Sequence, residues 1–207
     1  MDSFFDSCIV IHYLESFMHN NELRRKCRGY IENNKDFLLC FYALKEIHGF
    51  INKKEVQYNE VIKKLKNASY RIGTDKETNI LNKDEIIFTE DLFENIKNED
   101  EKAVSHKFEE EISATRLNLR ILLKRIKELV IKEDEIDKSL TNLIHEFLGK
   151  YADCKILASA LQAQKDRDIF LLVSADKHFN PNEYAFIESE PRLRDYKFPK
   201  LKNLLYG

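Results

Sequence analysis

Three short apolar runs set the terms for what this chain can fold into. They are SFFD (3–6), DFLLCFY (36–42) and DIFLLVSAD (168–176). Each is too short for a buried helix and too apolar for a surface loop. The last is a nearly continuous run ending at a polar tip, as a central parallel strand reads. Between the first two lie a helix over Cys8–Phe17, with Ser7 in the N-cap position, and a basic amphipathic helix over Asn21–Asn33; ALKEIHGFI turns back into helix after the second. This β-α-α-β-α order predicts parallel strands joined by helical crossovers, and therefore an α/β fold with a parallel sheet.

The middle of the chain has a different character. Only five Gly and three Pro occur, and the prolines (181, 191, 199) all lie near the C-terminus. Few chain breakers over the first 180 residues favour long helices. Residues 52–70 read as a Lys-rich helix, 71–84 as a loop, 84–111 as an acid-rich stretch, 114–132 as a basic helix and 135–148 as a further helix. One domain over 1–207 with a mainly helical insertion at about 53–150 accounts for this. The α/β pattern resumes with ADCKILASALQAQ, an amphipathic helix whose small residues suit close packing on a sheet. Past Pro181 the tail reads as one more short strand and a final amphipathic turn near LKNLLYG.

Composition removes several functions. The 34 basic and 36 acidic side chains leave a net charge of −2, so no global basic field draws the protein onto nucleic acid. The four cysteines (8, 27, 40, 154) form no C-x-x-C pair and read as reduced thiols. No basic n-region opens the chain and no apolar run approaches a membrane span, so the expectation is a soluble, cytoplasmic protein. There is no G-x-S-x-G, Walker loop, G-x-G-x-x-G or H-E-x-x-H.

What remains is a set of acids at telling positions. Asp6 ends the first strand, Glu46 lies in the helix after the second, Asp153 opens the helix leading into the third, and Asp176 ends that third strand. In an open parallel sheet the functional crevice lies beyond the carboxyl ends of the strands. Carboxylates gathered there repel one another and are driven towards protonation, which a hard divalent cation such as Mg2+ or Mn2+ relieves. Taken singly, an Asp at a strand end is more often a turn former or helix cap, and Asp153 alone reads as an N-terminal helix acid favoured by the helix dipole.

In combination, FFDSCIVIHYL, CFYALKEIHG, DCKILASAL and LLVSADKHF resemble the successive motifs of PIN-domain nucleases, in the same order. The resemblance covers about 1–50 and 150–180 and leaves the helical block unmatched. It implies an α/β/α domain in which Asp6, Glu46, Asp153 and Asp176 coordinate one or two Mg2+ or Mn2+ ions, with Ser7 and Ser174 supporting them. Cys8, Cys40 and His178 depart from the residues the family commonly carries there. The activity implied is metal-dependent hydrolysis of phosphodiester bonds, in RNA above all, as in RNA processing or a toxin of a toxin–antitoxin pair.

An acidic metal site repels a phosphate backbone, so cations must flank it. Arg116, Arg120, Lys124 and Lys127 recur at steps of four, four and three, along one face of the basic helix, while Leu119, Leu122, Ile126 and Leu129 form the other. This face serves either as a phosphate-tracking ridge or as a solvated surface pairing with the acidic stretch. A second cluster, Arg24, Arg25, Lys26 and Arg28, follows Asp6, and Lys177 adjoins Asp176. The expected partners are RNA, an antitoxin or other protein, and a second copy in a homodimer. The competing readings are a catalytically weak PIN-like scaffold that engages a protein or RNA through its helical block, and a metal-dependent phosphatase of small phosphates.

Overall fold

The strands β1 (Asp2–Phe5), β2 (Phe37–Cys40), β3 (Ile126–Val130), β4 (Ile169–Ser174) and β5 (Lys200–Asn203) form one sheet in the order β3-β2-β1-β4-β5, with every pairing parallel. These elements come from a computed structural model that describes residues 2–19, 21–34 and 37–206. The chain winds outward from β1 to β2 and β3, then returns to the other side of β1 for β4 and β5. The strand order therefore reverses between β1 and β4, where a crevice opens at the carboxyl ends of parallel strands. Phe5 pairs in register with Val173 at that junction.

The inner strands β2 and β4 and the end of β1 are almost wholly apolar, as strands covered on both faces are, whereas the edge strands β3 and β5 carry charged residues. Phe4, Phe5, Leu38, Leu39, Leu172 and Val173 are fully buried, and the Phe5 and Phe37 rings stack with centroids 4.2 Å apart. Helix α1 (Ser7–Glu15) packs against β4 and against α2 (Glu22–Asn33). Helix α6 (Lys138–Leu148) leads into α7 (Tyr151–Ala163), which packs on β2 and β4. Ala158, Ser159 and Ala160 are buried on α7, as its small-residue pattern predicts. Gly149 caps α6 in the left-handed region (φ 68°), so the chain turns at once into α7.

The chain divides into two compact units, Met1–Ile47 with Ile121–Gly207, and His48–Arg120. Helix α3 (Phe41–Lys66) begins in the first unit and continues through the second, which adds α4 (Lys83–Ile96) and α5 (Glu101–Leu123). Tyr58, Val61, Val104, Phe108 and Ile112 form the core of this helical unit, with Tyr58 stacked on Phe108 at 3.9 Å. Glu60, buried on α3, accepts hydrogen bonds from the Tyr70 hydroxyl and the Gly73 amide, tying the following turn to the helix. Among the described residues no helix is long and apolar enough to cross a membrane.

Several expectations need correction. The helix expected over 114–132 ends at Leu123, and Ile126–Val130 is the edge strand β3. IKELV fits either period over five residues, and pairing with β2 decides it. Lys124 then lies in a turn and Lys127 on a strand, so with Arg116 and Arg120 they form no single helical face. The helical unit spans His48–Arg120 rather than 53–150, because 121–150 supplies β3 and α6 to the sheet unit. The 36–42 strand is shorter, with Phe41 and Tyr42 already in α3; Asp36 lies outside the described residues, as does Gly207 of the tail. The expected loop 71–84 contains a 3-10 turn, Lys76–Ile80. The tail carries the expected strand, β5, and also α8 (Pro181–Glu188), which starts on an Asn180 cap with Pro at its first turn.

Because Leu172 is fully buried on the inner strand β4, Leu172→Ala should destabilise the sheet unit by about 2–5 kcal/mol. Urea unfolding followed by circular dichroism measures this, and a loss well under 1 kcal/mol would contradict the placement.

Candidate metal centre

Asp6 leaves β1 with its amide donating to the Val173 carbonyl at 3.0 Å, which fixes it beside β4. It holds the N-cap position of α1, yet its side chain makes no cap hydrogen bond. The carboxylate points instead to other donors. Its Oδ2 accepts from Ser174 Oγ at 2.7 Å and from the Cys8 thiol at 2.9 Å. Ser7, expected as the N-cap, is the first residue of the helix. Its hydroxyl donates to Glu46 Oε2 at 2.8 Å and lies 3.3 Å from Asp6 Oδ1, so it joins the two acids. Ser174 Oγ accepts the Asp176 amide at 3.0 Å while serving Asp6. Cys8 Sγ likewise accepts the Ala175 amide at 3.1 Å.

Asp153 and Asp176 meet across the start of α7. Lys150 Nζ lies 3.4 Å from Asp153 Oδ1 and 3.2 Å from Asp176 Oδ2. On the other side, His178 Nδ1 lies 2.7 Å from Asp176 Oδ1 and 3.5 Å from Asp153 Oδ2, and the His178 amide donates to Asp176 Oδ1 at 2.9 Å. Asp153 is only 4% exposed, and its Oδ2 accepts no hydrogen bond. One donor atom each of Asp153, Asp176 and His178 lie within 4.8 Å of one another. Asp6 and Glu46 are not members of that set. They are joined to it through Ser174 and Ser7.

The charges in the crevice do not cancel. Burial, reinforced by the Asp176 charge, raises Asp6 above its ordinary value, although the hydrogen bonds from Cys8 and Ser174 oppose this. Glu46 is raised by burial and by Asp6, against the Ser7 hydrogen bond and Lys150. Asp153 is pushed up to about 7, by burial first and then by Asp6 and Asp176, with Lys150 opposing. At Asp176 burial acts upward as well, but the His178 amide and Lys150 outweigh it and hold the group below its ordinary value. Burial holds the Cys8 thiol well above its usual range, so it remains a donor to Asp6. One lysine against four carboxylates leaves a net negative, half-desolvated cluster that suits a divalent ion.

The residues fit such an ion. The clustered donor set holds two carboxylates and an imidazole, with Asp6 and Glu46 linked to it through serines, and an oxygen of the buried Asp153 accepts no hydrogen bond. Lys150 and His178 were not among the expected site residues. Their signals were local: Lys150 stands three before Asp153, and His178 two after Asp176.

Four of the basic residues expected to flank the site are engaged elsewhere. Arg24 pairs with Glu15 at 2.9 Å, and Arg28 pairs with Glu32 at 2.8 Å while lying over the Phe17 ring. Arg116 pairs with Glu55 at 2.6 Å and Lys127 with Asp2 at 2.6 Å. Arg25, Arg120, Lys124 and Lys177 are exposed. No protein-family model, no curated protein and no solved structure matches this chain.

The raised Asp153 fixes a sign. Its folded form keeps a proton that the unfolded chain releases near pH 4, so its contribution to stability falls as pH rises from about 4 to about 7. In the presence of a chelator, Asp153→Asn should therefore be more stable than wild type at pH 8, by on the order of 1–3 kcal/mol, with the gain shrinking towards pH 4. Urea titrations at the two pH values measure it; a variant less stable at pH 8 would contradict the assignment.

Proposed function

We propose that the protein is a metal-dependent nuclease of the PIN type, an endoribonuclease in the first instance. The observation that carries the reading is the gathering of Asp6, Glu46, Asp153 and Asp176, from opposite ends of the chain, at the reversal point of a parallel sheet, with a buried Asp153 oxygen that accepts no hydrogen bond. The strand ends carrying Asp6 and Asp176 support it, because ligands of such sheets bind there.

A bound Mg2+ or Mn2+ supplies an activated water and charge for the phosphate in the transition state. The chain's own residues do the rest. Asp153 and Asp176 would hold the ion, and Asp6 would add a carboxylate kept in orientation by Ser174 and Cys8. Ser7 fixes Glu46 relative to Asp6, so that a shift of either is felt by the other. Lys150 limits repulsion between Asp153 and Asp176 before the ion enters. Of the cations expected to hold RNA, Lys177 and Arg25 are the exposed ones in the sheet unit nearest in sequence to the site residues.

A second reading draws on Lys150 and the helical unit. If the lysine suffices to neutralise Asp153 and Asp176, the fold is a weakly catalytic scaffold, and Ile87 and Phe88, both more than half exposed on α4, become a surface for a protein partner such as an antitoxin or a second copy. Cleavage assays separate the two. Wild type with Mn2+ should cut single-stranded or structured RNA, and Asp6→Asn should lose roughly 100-fold or more of that rate. Equal rates in both proteins, or cleavage unaffected by a chelator, would overturn the nuclease reading.

A further inference from the structure

We propose that His178 is a metal ligand, forming with Asp153 and Asp176 a mixed nitrogen–oxygen centre that selects Mn2+ or a similar borderline transition ion over Mg2+. The inference deepens the metal-dependent reading above and rests on there being an ion at this crevice.

The two aspartates each divide their oxygens between two neighbours. Lys150 approaches Asp153 Oδ1 and Asp176 Oδ2, whereas His178 Nδ1 approaches Asp153 Oδ2 and Asp176 Oδ1. Lys150 thus orients the carboxylates from one side and leaves the other pair of oxygens turned to the imidazole. The separations there, 2.7 and 3.5 Å, bracket the roughly 3 Å expected between adjacent ligands on an ion with bonds near 2.1 Å. Asp153 is 4% exposed, and its Oδ2 accepts no hydrogen bond, His178 Nδ1 standing 3.5 Å away; an ion between the two would satisfy both.

The His178 ring is itself held in place. Its backbone amide is bonded to Asp176 Oδ1, and Phe179, the next residue, is fully buried. Without an ion Nδ1 is hydrogen-bonded to Asp176 Oδ1 at 2.7 Å, so coordination through Nδ1 replaces that bond and requires the ring proton to sit on Nε2. Imidazole suits the later transition ions best, and Mn2+, at the start of that series, accepts it more readily than Mg2+ does. Mg2+ is a harder ion that prefers oxygen and keeps its waters. A histidine in this position therefore changes which ion the site takes, and an aspartate there would change it back.

The test uses the full chain and Mn2+ as the probe. Pulsed electron paramagnetic resonance of the Mn2+-loaded protein should show coupling to a nitrogen nucleus, and calorimetry should give Mn2+ at least about tenfold tighter than Mg2+. His178→Gln should remove the nitrogen coupling and about tenfold of the Mn2+ affinity, with little change for Mg2+. His178→Asp, which restores an oxygen donor, should bring the two ions to within a few-fold of each other. Circular dichroism checks that each variant folds, and the wild-type spectrum decides the matter even if one does not. Mn2+ uptake without nitrogen coupling overturns the role of His178 and leaves the nuclease reading standing. Nitrogen coupling without RNA cleavage does the reverse, and no uptake at millimolar Mn2+ overturns both.

Discussion

Mutual repulsion among carboxylates at the open end of a parallel sheet is the constraint around which the rest of this molecule is arranged. Asp6 and Asp153 are both more than nine-tenths buried, and Asp176 and Glu46 sit beside them. An isolated buried carboxylate costs several kcal/mol, and like charges nearby add to that. The chain answers with donors from the start of α1, the end of β4, the turn after it and the residue before α7. Ser174 and Cys8 serve Asp6, Ser7 serves Glu46, and Lys150 and His178 serve the aspartates on the far side.

Those donors do not settle the charge. Asp153 remains raised to about 7 despite Lys150, and one of its oxygens has no hydrogen bond. A cluster evolved only for stability would gain by replacing such a group with an apolar or amide side chain. Retaining it costs folding energy, which is what sites that bind cations commonly show. The fold makes the arrangement rigid. Asp6 is pinned by a backbone hydrogen bond to β4, and Asp153 by a helix that a left-handed glycine launches without a loop.

Much of this frame was legible in the sequence. The apolar runs gave β1, β2 and β4, and the acid after each of the first and last of them marked the crevice, because a strand that ends in Asp leaves its carboxylate at the rim. Other parts were hidden by degeneracy. IKELV satisfies a helical and an extended pattern equally over its length, and only the exposed edge of β2 selects the strand. Ser7 carries a capping residue's identity, but Asp6 already occupies that backbone position, which frees the hydroxyl for Glu46. Proline at 181 reads as a breaker, although at the first turn of a helix it is compatible with α8. Lys150 and His178 carry no motif by themselves. Their roles arise from a turn into α7 and a turn after β4 that bring them onto the same two carboxylates.

A crystal of the protein soaked in Mn2+ and measured at the manganese absorption edge tests the central claim most directly. The account predicts an anomalous peak within roughly 2.0–2.3 Å of carboxylate oxygens of both Asp153 and Asp176. An empty crevice at millimolar Mn2+, with Lys150 still bridging the two aspartates, would contradict it.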